Sequence, residues 1–330
     1  MLNSDPEVEV IDTAKEGSEA VKKVPKIKPD CITLDLVMPG WDGLTTLKHI
    51  MDEYPTPVII LSAHSRKDAD ITIKCLNAGA VGFVLKPSGE LSLDIESIKR
   101  ELLEEVKVAS KVNVGKIKLL ISKKVKKPRG KLIGIYRIIV IGASTGGPQT
   151  LEAILSSLPA NFPAPIIVVQ HMPNRFFTES IAEHLNKVSE LTVKVAENNE
   201  VLQEGMVYLA PSGSQLTVVP LDNRQQAVRS TDTIIRLFPD KPDTLSPSID
   251  ITMKSVAKIY NGNAMGIILS GMGRDGEEGM KAIKVSGGKT IAQDESSLIF
   301  GMPKAVIEAG YADKVLPVNG IANAMAESVS

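Results

Sequence analysis

The stretch from Arg137 to Pro148 limits the possible folds of this 330-residue chain more than any other. Ile138-Ile139-Val140-Ile141 is an unbroken apolar run, the pattern of a strand buried on both faces of a parallel sheet. Gly142-Ala143-Ser144-Thr145-Gly146-Gly147-Pro148 follows. Its paired glycines permit a sharp turn, and Pro148 suits the first turn of a helix, where its missing N–H has no partner to lose. Leu151, Ile154, Leu155 and Leu158 then recur at helical spacing. A strand, turn and helix in this order hold the Ser144 hydroxyl at the carboxyl end of a parallel strand, beside the N–H groups of a helix start. Open α/β sheets bind ligands there, and a nucleophile at that place has oxyanion donors at hand.

A phosphate or dinucleotide cradle is the rival reading of this glycine loop. The spacing is G-x-x-x-G-G, not G-x-G-x-x-G, and no P-loop lysine follows. The next apolar strand, Ile166-Ile167-Val168-Val169, ends in Gln170-His171 instead of an acidic residue that would hold a ribose. A lone Ser-Gly-Gly is also compatible with a plain turn, so the reading depends on partners. A serine becomes a nucleophile when a base takes its proton and a third group orients that base. Of the 4 histidines, His49 and His64 lie in the N-terminal part of the chain. His184 falls on the polar side of an amphipathic helix that carries Phe177, Ile181 and Leu185. His171 directly follows a buried strand, as Ser144 does. A third strand, Met265 to Ser270, leads into Gly271-Met272-Gly273-Arg274-Asp275-Gly276. An Asp-Gly pair alone is a common turn. Here three strands each deliver one triad-type residue to one sheet edge. The order Ser, His, Asp and the lack of a G-x-S-x-G elbow separate it from α/β-hydrolases, yet triads are defined by geometry and not by order.

The motifs Gly142 to Gly147, Gln170-His171-Met172-Pro173, Ala210-Pro211, Ser270 to Gly276, Gln293-Asp294-Glu295 and Phe300-Gly301-Met302-Pro303 run in one order from about Ile138 to the C-terminus. Together they closely resemble the chemotaxis protein-glutamate methylesterases, the CheB family. The resemblance implies Ser144 as nucleophile, His171 as general base and then acid, and Asp275 as orienting carboxylate. It implies that Thr145 and Met272 help form the oxyanion site, and that the esterase needs no cofactor. The implied substrate is a glutamyl γ-methyl ester on methyl-accepting chemotaxis receptors, released as methanol through an acyl-enzyme; glutamine deamidation is an implied second activity. Gln215 stands where a histidine is expected in relatives, a change expected to bear on substrate contacts.

The length suits two domains. The expected fold is α/β, with two doubly wound parallel-sheet domains: a receiver-like regulatory domain over 1–103, a basic linker over 104–132, and a Rossmann-like methylesterase domain over 133–330. Within the linker, Lys123-Lys124-Val125-Lys126-Lys127-Pro128-Arg129-Gly130-Lys131 is densest in charge. A net charge of −1 supplies no global attraction to nucleic acid or membrane. Scarce aromatics argue against base stacking, no helix-turn-helix is recognisable, and positive charge is confined to the linker, so no nucleic-acid partner is expected. Apolar runs stop far short of the ~20 residues of a membrane helix, so no direct membrane insertion is expected. Two cysteines, Cys31 and Cys75, fit a reducing compartment. With no signal-peptide core near Asp5, Glu7 and Glu9, a cytoplasmic protein is expected. A non-catalytic receptor-binding signalling module is the alternative function, and retention of Ser144, His171 and Asp275 together speaks against it.

In the N-terminal part, Cys31-Ile32-Thr33-Leu34-Asp35, Pro57 to Ser62, and Gly82-Phe83-Val84-Leu85-Lys86-Pro87 read as strands with polar residues at their ends. They resemble a response-regulator receiver. The resemblance implies Asp35 as phospho-acceptor, Ser62, Phe83 and Lys86 as the switch, a chemotaxis histidine kinase as phosphodonor, and a receiver that covers the esterase until phosphorylated. Lys86-Pro87 is a candidate cis peptide. Val8 to Ile11 reads as the family's second strand, and the strand–helix unit expected before it is not read in the chain. That unit would bring the acidic pair that binds Mg²⁺ with Asp35, and would lie at an inner place in a 2-1-3-4-5 sheet. A start downstream of the true one, an inactive remnant, or completion by another chain would each account for this. Mg²⁺ for receiver phosphorylation is expected only if that unit is supplied, and without it Asp35 is not expected to be phosphorylated in the usual way.

Overall fold

The computed structural model describes residues 1–87, 95–117, 137–221, 233–239 and 245–327. The chain divides into two compact units, Met1–Lys123 and Lys124–Ser330.

In the first unit, helices alternate with three parallel strands: α1 (Gly17–Ile27), β1 (Ile32–Asp35), α2 (Gly43–Glu53), β2 (Val58–Ser62), α3 (Arg66–Asn77), β3 (Gly82–Leu85) and α4 (Ile95–Ala109). The strand order is β1-β2-β3. Val58, Ile59 and Ile60 of the central strand are fully buried, which is why the run is apolar at consecutive positions. Helix starts are capped locally: Asp42 accepts from Thr45 N–H at 2.7 Å, and Ser65 from Asp68 N–H at 3.1 Å.

Three expectations are corrected here. Val8–Ile11 does not form a strand, and Val10 and Ile11 are 38% and 52% exposed. Among the described residues no strand pairs with this segment. Its N–H groups bond locally instead, Val8 to Asp5 O at 3.1 Å and Val10 to Asn3 Oδ1 at 2.8 Å. The start of the expected linker is helical: α4 runs through residue 104 to Ala109, with Leu102, Glu105 and Ala109 on its buried face. Residues 118–132 of that expected linker, including the densest basic stretch, lie outside the described residues. Lys86-Pro87 is trans, the intrinsically favoured isomer, while Ser246-Pro247 is cis.

The second unit is built on a seven-stranded parallel sheet of β4 (Ile138–Ala143), β5 (Ile166–Gln170), β6 (Thr192–Val195), β7 (Met206–Leu209), β10 (Ala264–Ile268), β11 (Lys289–Gln293) and β12 (Lys314–Leu316). An antiparallel hairpin, β8 (Ser214–Pro220) and β9 (Thr233–Pro239), stands apart from it. The helices are α5 (Gly147–Leu155), α6 (Arg175–Val188), α7 (Ile249–Tyr260), α8 (Glu277–Val285), α9 (Met302–Glu308) and α10 (Val318–Glu327). The order β12-β11-β10-β4-β5-β7-β6 shows that the chain builds outward from β4 through β5, then returns across it to β10. The winding therefore reverses between β4 and β10, and ligand crevices of open α/β sheets form at such switch points.

Register brings the strand ends level. Gly142 lies beside Ile268, and Ala143 beside Gln170. Ile138, Ile139, Val140 and Ile141 are fully buried, as are Ile166 to Val169, so the sheet centre is dry. Gly142 is glycine because α7 crosses there: a Cβ would sit 2.6 Å from Ile249 Cγ2 and 2.9 Å from Ile268 Cδ1. Both isoleucines are fully buried and have no room to retreat. Gly142→Val is accordingly expected to destabilise the second unit by about 1–3 kcal/mol through overpacking. A urea unfolding midpoint equal to wild type would contradict this packing.

Candidate active site

Backbone hydrogen bonds continue past the strands and lock three carboxyl ends together. Leu269 N–H donates to Gly142 O at 2.9 Å, Ser144 N–H to Ser270 O at 3.0 Å, and His171 N–H to Ala143 O at 3.0 Å. Ser144 thus sits half-buried at the end of β4, between the ends of β5 and β10. The turn expected after it forms as read. Gly146 has φ +75°, and Pro148 lies in the first turn of α5. Gln170, one residue before His171, donates from Nε2 to Ser144 O and His171 O, both at 3.0 Å. No hydrogen bond joins the Ser144 hydroxyl to the His171 ring among the described residues; the backbone holds the two neighbours. Such contacts commonly tighten only when substrate is bound.

The structure does join His171 to Asp275, Nε2 to Oδ2 at 2.9 Å. Nδ1 is then the ring nitrogen left for a serine. Asp275 is anchored in turn by the start of α7. Ser248 Oγ donates to Oδ1 at 3.0 Å, Ile249 N–H to Oδ2 at 2.7 Å, and Asp250 N–H to Oδ1 at 3.1 Å. Burial alone would push this carboxyl up, but the His171 bond and the backbone donors outweigh it and hold Asp275 below the ordinary value of 3.8. The group is kept ionised beside a histidine.

Gln215 does not play the substrate-contacting part expected of it. It is only 3% exposed, donates from Nε2 to Leu245 O at 2.7 Å, and accepts from Ser248 N–H at 2.9 Å. It braces the turn that carries Ser248 to Asp275. Ser248 and Asp250 escaped the sequence reading altogether. A Ser before an amphipathic run is a legible helix cap, yet nothing in the sequence pairs it with Asp275, which lies 27 positions away.

The glycine-rich loop after β10 folds across Ser144. Ser270 Oγ donates to Thr145 O at 2.8 Å, and Ile299 N–H donates to Ser270 Oγ at 2.9 Å. Ser270 N–H donates to Gln293 Oε1 at 2.9 Å, which explains the Gln-Asp-Glu motif. A bridge between Gly271 and Phe300, with Met302 N–H donating to Gly271 O at 2.8 Å, explains the Phe-Gly-Met-Pro motif. A Cβ on Gly271 would lie 2.8 Å from Ser144 Cβ, so the loop backbone approaches the serine as closely as glycine allows. Thr145 and Met272 flank this approach, both half-buried. His184 is bonded on the surface of α6, Nε2 to Glu152 Oε2 at 2.7 Å.

In the first unit, Asp35 ends β1 and pairs with Lys86 at 2.5 Å through Oδ2, while its Oδ1 accepts from Val37 N–H at 3.0 Å. Ser62 ends β2, is fully buried, and accepts from Thr72 Oγ1 at 2.9 Å. Phe83 is half-buried on β3. These residues do not make a Mg²⁺ site. Both Asp35 oxygens are engaged, and among the described residues no group of three His, Cys, Asp or Glu gathers to hold a metal. A near-octahedral oxygen shell is not available from this set.

Asp275 has a stability consequence. Because its folded value is lowered, its stabilisation is present above 3.8 and is lost as pH falls through the folded value. The stability difference between wild type and Asp275→Asn is expected to be largest near neutral pH and to shrink on acidification below the ordinary Asp range. Urea titrations of both proteins across that range measure it, and a difference independent of pH would contradict the lowered value.

Comparison with known proteins places the chain in a family. Residues 139–325 match the family model described as CheB methylesterase, and residues 1–96 the response regulator receiver domain. A protein-glutamate methylesterase/protein-glutamine glutaminase of Archaeoglobus fulgidus is 47% identical over 96% of this chain and 89% of its own. One from Thermotoga maritima is 42% identical over 100% of this chain and 93% of its own. The crystal structure of the Thermotoga maritima CheB methylesterase catalytic domain superposes with TM-score 0.54 and 44% identity, covering 58% of this chain and 98% of that one. Among the described residues no helix is long and apolar enough to cross a membrane. The chain belongs to the CheB family, with a response-regulator receiver domain followed by a CheB methylesterase catalytic domain.

Proposed function

We propose that the catalytic domain hydrolyses γ-methyl esters of glutamate side chains on methyl-accepting chemotaxis receptors, and deamidates glutamine side chains, with Ser144, His171 and Asp275 as its triad. The observation that carries this reading is the His171–Asp275 bond, its carboxylate anchored on a helix N-terminus at the same sheet edge as Ser144. A module that only bound receptors would have no use for an ionised, fully bonded carboxylate behind a histidine.

His171 takes the Ser144 proton as the hydroxyl oxygen attacks the ester carbonyl carbon. Asp275 holds the ring and stabilises the imidazolium that forms. The Thr145 and Met272 N–H groups receive the negative charge on the former carbonyl oxygen. Collapse expels methoxide, protonated by His171 to methanol, and leaves an acyl-enzyme. Water, deprotonated by the same ring, then attacks the acyl carbon and restores the serine and a glutamate. With glutamine the leaving group is ammonia, and the same proton serves it. Donors fixed before the reaction act strongly in a site screened from water.

Methanol release from methylated receptor tests this directly. Ser144→Ala is expected to lower kcat by at least ~10⁴-fold. Equal rates would end the assignment.

The same reading makes Asp35 the phospho-acceptor position of the receiver domain, used only where the acidic pair that binds Mg²⁺ is supplied, with a chemotaxis histidine kinase as donor, Lys86 on the phosphoryl oxygens, and Ser62 and Phe83 as the switch. The support is the Asp35–Lys86 pair at the carboxyl edge of the small sheet. Because Asp35 lacks, among the described residues, acidic partners to hold Mg²⁺, acetyl phosphate is expected to leave the purified chain unlabelled at Asp35. Acyl-phosphate label that Asp35→Asn abolishes would overturn this.

A further inference from the structure

Helices α7 and α8 pack against each other, and each carries an acidic residue that caps its neighbour. Asp275, just before α8, takes the Ile249 and Asp250 N–H groups at the start of α7, at 2.7 and 3.1 Å. Asp250, in the first turn of α7, does the reverse. Its Oδ1 accepts from Gly276 N–H at 3.0 Å and Gly279 N–H at 2.7 Å, at the start of α8. The two carboxylates exchange helix N-termini, and each is stabilised by the positive end of the other's helix.

In the loop on which Asp275 sits, Gly273 has φ +85° and Gly276 has φ +100°, left-handed conformations that glycine adopts without strain. Gly276 directly follows Asp275, so a bond to its N–H fixes the backbone one residue from the carboxylate. The helices also meet closely here. A Cβ on Gly279 would lie 2.7 Å from Met253 Cβ and 3.2 Å from Asp250 Cα. Burial pushes the Asp250 carboxyl up, the Gly279 N–H opposes this, and the neighbouring Asp275 charge pushes it up further. Placing a second carboxylate against the first has a cost, and the return is a defined position for Asp275.

We propose that Asp250 is a positioning residue for the esterase. By holding the Gly276 turn against α7, it keeps the Asp275 carboxylate within bonding distance of His171. This rests on the triad reading above. Among the described residues Asp250 makes no hydrogen bond to the His171 ring; it acts through the backbone that carries Asp275. The structural alternative is an ordinary helix cap, worth stability but not rate.

The test is methanol release from methylated receptor by the full chain. Asp250→Ala frees the Gly276 and Gly279 N–H groups and is expected to lower kcat about 10- to 100-fold with KM unchanged, as a displaced catalytic group does. Asp250→Asn keeps a carbonyl oxygen at the Oδ1 place and is expected to recover most of that loss. A folded Asp250→Ala enzyme with wild-type kcat, whatever its melting temperature, would overturn the proposal. If the alanine variant fails to fold, Asp250→Glu, which displaces the acceptor by one methylene, is expected to show the kcat loss, and wild-type kcat there would overturn it equally. Ser144→Ala in the same assay separates the two readings. An inactive Ser144→Ala beside an unimpaired Asp250→Ala removes the role of Asp250 alone, whereas an active Ser144→Ala removes the triad beneath it.

Discussion

A carboxylate on a helix N-terminus organises the catalytic domain. Asp275 is largely withdrawn from water, and an ionised group in that position is tolerated only where donors replace the lost hydration. Ser248, Ile249, Asp250 and His171 together supply them. The arrangement ties the start of α7 to the loop after β10, and through His171 to the end of β5. Gln215 extends it to the β8–β9 hairpin by holding Ser248 N–H. One charge thus connects the hairpin, two helix starts and two strand ends, and the proposed triad inherits its geometry from that bracing.

The parallel sheet provides the rest. The winding reverses between β4 and β10, the kind of switch point at which open α/β sheets bind ligands. Ser144 stands on one side of the reversal and the Ser270–Gly276 loop on the other, bonded through Ser144 N–H to Ser270 O. Close approach is possible because Gly271 has no side chain to intervene. The first unit shows the same logic on a smaller scale. Asp35, Ser62 and the residue after β3, Lys86, share one carboxyl edge, and the Asp35–Lys86 pair crosses it.

Much of this was legible in the residues. Consecutive β-branched and apolar positions mark Ile138–Ile141, Ile166–Val169 and Met265–Ser270 as strands buried on both faces, because a parallel sheet covered by helices leaves no polar face. Strand ends followed by Ser, His and a glycine-flanked Asp located the site. Val8–Ile11 misled for a physical reason: β-propensity expresses itself only beside a partner strand, and the Asp5 carbonyl and the Asn3 side chain offered the N–H groups of Val8 and Val10 nearer bonds. Gln215 misled because a polar residue at a strand start looks the same whether it faces a ligand or is buried as a brace.

What the sequence by itself determined is the layered α/β architecture, the edge on which the polar residues cluster, and their order along the chain. These follow from local periodicity and turn chemistry, which act over a few residues. Only the tertiary structure decided that Ser248 and Asp250 serve Asp275, that Asp250 and Asp275 exchange helix ends, and that Gln215 faces inward. Those facts depend on α7 and α8 packing side by side, which sets partners more than twenty positions apart within hydrogen-bonding distance. No local pattern encodes that pairing, because each residue on its own satisfies an ordinary helix cap.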